Sequence, residues 1–166
     1  MTDQEILTRF RNIETELKRL SLDIEEPIMI HYHRDEFPNL LTVEKHGNFI
    51  DVRAAKEIKL SKEESLLIPL GISINMPDNY YATLLPRSST FRKYGILVSN
   101  SIGIIDDDYR SMKDEWKLSV YATRDTIIPE NERIAQFTLC KESKFTLIEG
   151  EWEAPERGGF GSTDKK

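Results

Sequence analysis

The chain has one cysteine, Cys140, in 166 residues. A lone cysteine makes no internal disulfide, so this fold is held by packing, as suits a reducing compartment. Basic residues are also scarce: 23 lysines and arginines stand against 29 acidic residues, for a formal net charge of −6. That balance does not suit direct nucleic-acid binding, and any phosphate must be held by a few placed arginines rather than a basic face. No apolar run approaches the ~18–20 residues of a membrane span, so no membrane partner is expected. The opening residues, MTDQEILTRF, lack the basic start and apolar centre of a secretory leader, and a cytoplasmic location is the expectation. Three histidines and one cysteine show no metal-ligand spacing. What remains, at 39% hydrophobic and 31% charged, is enough for one globular domain with a well-charged surface.

Residues 1–26 stand apart from the rest. Ile6, Phe10, Ile13, Leu17, Leu20 and Ile24 are spaced 4-3-4-3-4, the seam of an amphipathic helix with a heptad repeat. Thr2 with Glu5 makes a capping-box start and Pro27 ends the run. Such a helix either lies on its own domain or joins copies as a short coiled coil. From residue 27 to 150 the pattern changes to period two and short runs. IMIHYH, NFIDVRA, SLLIPLGISINM, YYATLLP, GILVSN, WKLSVYA, RIAQFTLC and FTLIE all read as strands separated by turn signals. Short strands without intervening helices predict an all-β barrel, sandwich or jelly roll. Residues 151–166 form a polar, glycine-rich arm.

Five stretches carry more chemistry than a plain β domain needs. DVRAA at 51–55 opens on an aspartate. PRSST at 86–90 puts Arg87 before Ser88 and Ser89, and guanidinium and hydroxyl donors both suit phosphate oxygens. NSIGIIDDDYR at 100–110 suggests a hairpin around Gly103 that leads into three aspartates and Tyr109. Three adjacent carboxylates repel one another, so they need solvent, a cation or a task. NERIAQF at 131–137 carries one buried-looking polar residue, Gln136. RGGFGST at 157–163 sets Phe160 among glycines and hydroxyls, which suits an anion nest and a base-stacking ring better than a core.

In this order the five stretches resemble the five motifs of the trimeric dUTPase family, over about residues 27–163. The contracted last motif resembles phage-type or Gram-positive members. The resemblance implies a jelly-roll-like β-barrel with an added N-terminal α-helix, and a hydrolase that converts dUTP to dUMP and pyrophosphate. That activity limits uracil in DNA and supplies dUMP. It implies a homotrimer whose active sites draw on three subunits, and Mg²⁺ carried chiefly by the substrate phosphates. Asp51 would reach the ion through its bound water and not as a direct ligand. Asp106 would orient and deprotonate the attacking water, while Asp107 and Asp108 would be solvated turn residues. Tyr109 would pack on the deoxyribose and exclude a 2′-hydroxyl. Asn100, Gly103 and Ile105 belong to the hairpin that would read uracil through its main chain. Ser88, with Ser89 after it, would lie near the α–β bridge of the substrate, Arg87 would support that substrate-binding loop and its interface, and Gln136 would lie beside the phosphates. Arg157 would meet the γ-phosphate, with Gly161, Ser162 and Thr163 completing the cradle and Phe160 stacking on the base as the arm closes.

The chain departs from the family pattern in places. RGGF is short by two residues relative to many members, Ser111 stands where glycine usually follows the basic residue, and Glu132 replaces an aspartate. Asp164 replaces the last glycine. These changes are expected to tune affinity rather than abolish catalysis. The dCTP deaminases share the fold and an Arg-Ser-Ser stretch, but not the Asp-x-x-Tyr with this tail. A further expectation comes from the N-terminal seam and the DDDYRSMKDEW stretch: a nucleotide-gated module that binds a regulatory protein partner. If the chain is phage-encoded, its location would be the host cytoplasm.

Overall fold

Alternation of small or branched residues with polar ones governs nearly every element of this molecule. In β10 (Lys117–Ala122, KLSVYA) the residues Leu118, Val120 and Ala122 turn inward and the three between them do not. The computed structural model describes Arg9, Asn12, residues 28–151 and Glu153. The other strands are β1 (Met29–Tyr32), β2 (Glu44–His46), β3 (Phe49–Arg53), β4 (Ile58–Leu60), β5 (Ser65–Pro69), β6 (Ile72–Asn75), β7 (Tyr80–Pro86), β8 (Ile96–Val98), β9 (Gly103–Ile105), β11 (Thr126–Ile128) and β12 (Arg133–Lys141). Among residues 28–151 one short helix, α1 (Thr90–Tyr94), interrupts them.

Among the described residues all strand pairings are antiparallel, and they form four separate sheets: β1-β6, β5-β10-β8, β11-β4 and β2-β3-β12-β7-β9. The architecture is all-β, as predicted, but among the described residues no ring of hydrogen bonds closes into a barrel. The sheets instead wrap one core of Ile68, Leu118, Val120, Ile128, Ile134 and their neighbours, with Trp116 and Phe137 edge-to-face at 5.0 Å. Each such side chain contributes about 1.5–3 kcal/mol by leaving water.

Sharp turns explain why the sheets stay separate. The single strand expected over SLLIPLGISINM breaks at Gly71, whose φ is +66°. β5 before it pairs with β10, and β6 after it pairs with β1. The hairpin expected around Gly103 is also corrected. β8 belongs with β10 and β9 with β7, so the chain changes sheets through the turn at Ser101, φ +63°. FTLIE, expected as a strand, has no ladder partner, and Phe145, Leu147 and Ile148 are 78–89% exposed. The helix expected over residues 1–26 lies outside the described residues, apart from the exposed Arg9 and Asn12. Among the described residues no helix is long and apolar enough to cross a membrane.

Candidate active site

The five-stranded sheet carries the strand portions of four of the five motifs. Gln136 on β12 lies opposite Asp51 on β3 and opposite Leu85 on β7, two residues before Arg87. Directly paired residues point to one face, so Asp51 and Gln136 meet at the same sheet end. Asp51 is only 3% exposed. Its charge is met by two guanidiniums: Arg87 Nε forms an ion pair with Oδ1 at 2.8 Å, and Arg133 Nη1 donates to Oδ2 at 3.3 Å. A buried carboxylate is tolerable only with such partners.

Arg133 is the residue sequence reading missed, and a bulge accounts for its place. Regular pairing from Gln136↔Asp51 would put Ile134 on the Asp51 face and turn Arg133 inward. The register shifts between Arg133 and Ala135, so Arg133 lies opposite Arg53 instead. Ile134 and Ala135 are both fully buried as a result, and the guanidinium emerges beside Asp51. A bulge re-aims a side chain in this way. The signal available in the sequence was a charged residue abutting the apolar run.

The loop after β7 is fastened by Thr90, 2% exposed. Its Oγ1 accepts from the Arg87 amide at 3.2 Å and donates to the Ile134 carbonyl at 2.8 Å. Gln136 Nε2 donates to the Pro86 carbonyl at 3.3 Å, tying β12 to the same loop. Ser88 is left exposed and Ser89 half-buried just before α1. Gly95, φ +62°, ends that helix, and Arg124 donates to the carbonyls of Arg92 and Lys93. Lys93 Nζ reaches Glu132 at 3.0 Å. Burial works against the Glu132 charge, but hydrogen bonds from Lys93 and Tyr94 and the Arg87 charge hold its pKa below the ordinary value. Burial together with Glu132 pushes the Tyr94 hydroxyl up.

The third motif lies at the sheet edge. Gly103 packs so closely on β7 that a Cβ there would stand 3.1 Å from Leu84 Cβ. Asn100 lies in the preceding turn, where its carbonyl accepts from Ile102 at 2.7 Å. Asp106 is exposed, and its carbonyl accepts from the Tyr109 amide at 3.2 Å. Asp107 is not a solvated turn residue: its Oδ2 accepts from the Asn79 amide at 2.8 Å, steadying a residue with φ +65°. Asp108 is exposed. The Tyr109 hydroxyl donates to the Glu115 carbonyl at 3.2 Å, which sets the ring. Asp106 and Tyr109 border a groove of about 450 Å³ with Ile104, Ile105, Leu67 and Trp116.

These two halves do not meet within one chain. Ile105 lies opposite Ala82, so Asp106 falls beside Tyr81, six residues from Arg87 along β7. At ~3.3 Å per residue that is about 20 Å, several times the reach from an α-phosphorus to its neighbouring phosphates. Asp51, Arg87 and Gln136 are together at one end, and Asp106 and Tyr109 are at the other. Arg157, Phe160, Gly161, Ser162 and Thr163 lie outside the described residues. Among the described residues no group of three or more His, Cys, Asp or Glu side chains gathers to hold a metal. Asp51, with both oxygens on guanidiniums, fits an outer contact to an ion's water shell rather than direct ligation.

Fold and charge placement together define a β-sheet protein that gathers two guanidiniums and an amide around a buried aspartate. The dUTPase family model matches residues 43–164. The SPbeta prophage-derived deoxyuridine 5'-triphosphate nucleotidohydrolase YosS of Bacillus subtilis is 39% identical over 134 residues, covering 80% of this chain and 94% of that protein. The deoxyuridine 5'-triphosphate nucleotidohydrolase of Thiobacillus denitrificans is 36% identical over 141 residues, covering 80% and 93%. Among solved structures, a Staphylococcus bacteriophage 80alpha dUTPase with dUpNHpp superposes with a TM-score of 0.70 at 16% identity, covering 84% of this chain and 99% of that one. The chain belongs to the dUTPase family, whose curated relatives here are nucleotidohydrolases.

Proposed function

We propose that the protein hydrolyses dUTP to dUMP and pyrophosphate by in-line attack of a water on the α-phosphorus. The single observation that carries this is the division of the chain's own chemistry. A solvent-facing carboxylate, Asp106, stands beside a groove lined by Leu67, Ile104, Ile105 and Trp116 together with Asp108, Glu115 and Lys117, and guanidiniums and an amide stand about 20 Å away. The groove suits a flat base and its sugar, with Tyr109 held against the deoxyribose by its bond to Glu115. Asp106 accepts a proton from the water and aims it. Arg87, Ser88 and Gln136 bind the phosphates, and Arg157, Gly161, Ser162 and Thr163 complete the cradle as Phe160 covers the base. Mg²⁺, when bound, neutralises phosphate charge and fixes the triphosphate conformation. Asp51 steadies that ion through its water shell.

Because the two halves are separated along β7, each complete site takes Asp106 and Tyr109 from one subunit and the phosphate cradle from another. The assembly is a homotrimer of jelly-roll-like subunits, with a helix over residues 1–26, and works in the cytoplasm. Pyrophosphate release from dUTP with Mg²⁺, beside UTP, dCTP and dTTP, tests the reading. Selective cleavage of dUTP, falling by about 10²–10⁴-fold in Asp106→Asn, is expected. Binding of dUTP without release would point instead to a nucleotide-gated module for a protein partner.

A further inference from the structure

Arg133 Nη1 is shared among three acceptors. Asp51 Oδ2 is 3.3 Å away, His46 Nε2 3.1 Å and Glu44 Oε2 3.6 Å. That nitrogen carries two hydrogens, so at least one acceptor is always left out. None of the three contacts has the length of a strong charge-assisted bond, which runs about 2.7–2.9 Å. Arg87, on the other oxygen of Asp51, is the closer ion-pair partner at 2.8 Å. Arg87 is the closer and less exposed partner of Asp51, and Arg133 the longer and more exposed one.

The receiving side is built for it. Glu44 Oε1 is held by Arg53 Nη2 at 2.6 Å. Arg53 in turn donates from Nη1 to the Asn131 carbonyl at 2.8 Å and from Nε to the Thr42 carbonyl at 3.4 Å. Glu44 Oε2 is thereby presented toward Arg133 with His46 beside it, 3.3 Å from the same oxygen. His46 Nε2 accepts from Arg133 in the tautomer with its proton on Nδ1, and gives up the bond it would donate to Glu44 Oε2 in the other tautomer. The β12 bulge brings Arg133 to this face, and the β2–β3 pairing sets Glu44 directly across from Asp51.

We infer that Arg133 is a positioning residue that moves off Asp51 onto Glu44 and His46 when magnesium nucleotide binds, uncovering Oδ2 for the water shell of the ion. Without nucleotide it neutralises a buried carboxylate that would otherwise be costly. On binding, the ion's charge takes over that task, and the guanidinium is repelled toward His46 and Glu44, 3.1 and 3.6 Å away. The inference rests on the reading that dUTP and Mg²⁺ bind at this sheet end.

The test is equilibrium binding of the non-hydrolysable analogue α,β-imido-dUTP, with Mg²⁺ and with EDTA, by titration calorimetry. The readout is the ratio of the two dissociation constants, which isolates the contribution of the ion from that of the nucleotide. Glu44→Gln and His46→Ala are each expected to lower that ratio by about 5-fold, with EDTA affinity within about 2-fold of wild type. His46→Gln, which keeps an acceptor, is expected to restore the ratio. His46→Ala leaves the Glu44–Arg53 pair intact, so it stays informative if Glu44→Gln is poorly folded. In an Arg133→Ala background neither substitution should change the ratio further. Unchanged ratios, or equal weakening with and without Mg²⁺, overturn the inference. Absence of analogue binding by wild type under both conditions would overturn the proposed function on which it rests.

Discussion

At the scale of single residues, Thr90 illustrates how a buried hydroxyl fixes a site it does not touch. It satisfies the Arg87 amide and the Ile134 carbonyl at once, joining the loop after β7 to the bulge in β12. Thr90→Val keeps the shape and leaves both groups unpaired, so a loss of about 1–3 kcal/mol is expected in urea unfolding. Glu132 supports the same loop through Lys93, and its lowered pKa fixes the sign of a pH effect. A carboxyl group whose folded pKa is depressed stabilises the protein above its unfolded value of 4.5, and that stability is lost as pH falls through the folded value. Glu132→Gln should be about 0.5–1 kcal/mol less stable than wild type at pH 7, and the gap should close as pH falls below the unfolded value. Urea midpoints at both pH values check this; a gap that widens in acid would contradict the assignment. The five motif stretches were recognisable in the sequence by their resemblance to a family pattern, and the structure brings Asp51, Arg87 and Gln136 together. Arg133 was not recognisable, because its direction depends on a bulge, and a register shift leaves no mark in a list of residue types.

At the scale of elements, period-two alternation was enough to locate most of the strands. It did not reveal which strands pair, because a side-chain pattern reports burial and not the neighbour. Gly71 is the clearest instance. An uninterrupted apolar stretch reads as one strand, yet the chain turns there with φ +66° and hands it from one sheet to another. A Cβ at Gly71 would lie 2.5 Å from Leu40 Cδ2 and 3.0 Å from Ala55 Cβ. Gly71→Ala therefore meets both a disfavoured backbone and a packed core, and a loss of about 2–4 kcal/mol is expected in urea unfolding. A loss below 0.5 kcal/mol would mean that this corner relaxes freely. FTLIE fails for the complementary reason. Its composition suits a strand, but a strand needs a ladder partner, and its own chain offers none among the described residues.

At the scale of the whole molecule, the distance between Asp106 and Arg87 is the decisive quantity. β7 is antiparallel to β9 and ends at the loop that carries Arg87, so one strand separates Asp106 from Arg87 by about 20 Å. No side-chain rearrangement spans that gap, whereas a second subunit can lay its own β9 end against the first subunit's loop. The exposed Phe145, Leu147 and Ile148 are further apolar surface for a neighbouring chain to cover. Site sharing makes a quantitative prediction that a self-contained site does not. Asp106→Asn and Gln136→Ala each remove one half, and each homotrimer should be inactive. If the chains are unfolded together and refolded as a 1:1 mixture, a site is whole only where its Asp106 comes from a Gln136→Ala chain and its Gln136 from an Asp106→Asn chain. Random assembly gives that combination in about one quarter of sites, so dUTP turnover should recover to about 25% of wild type. If each subunit carried a complete site, no mixture would contain an intact one, and activity would stay at the level of the separate variants.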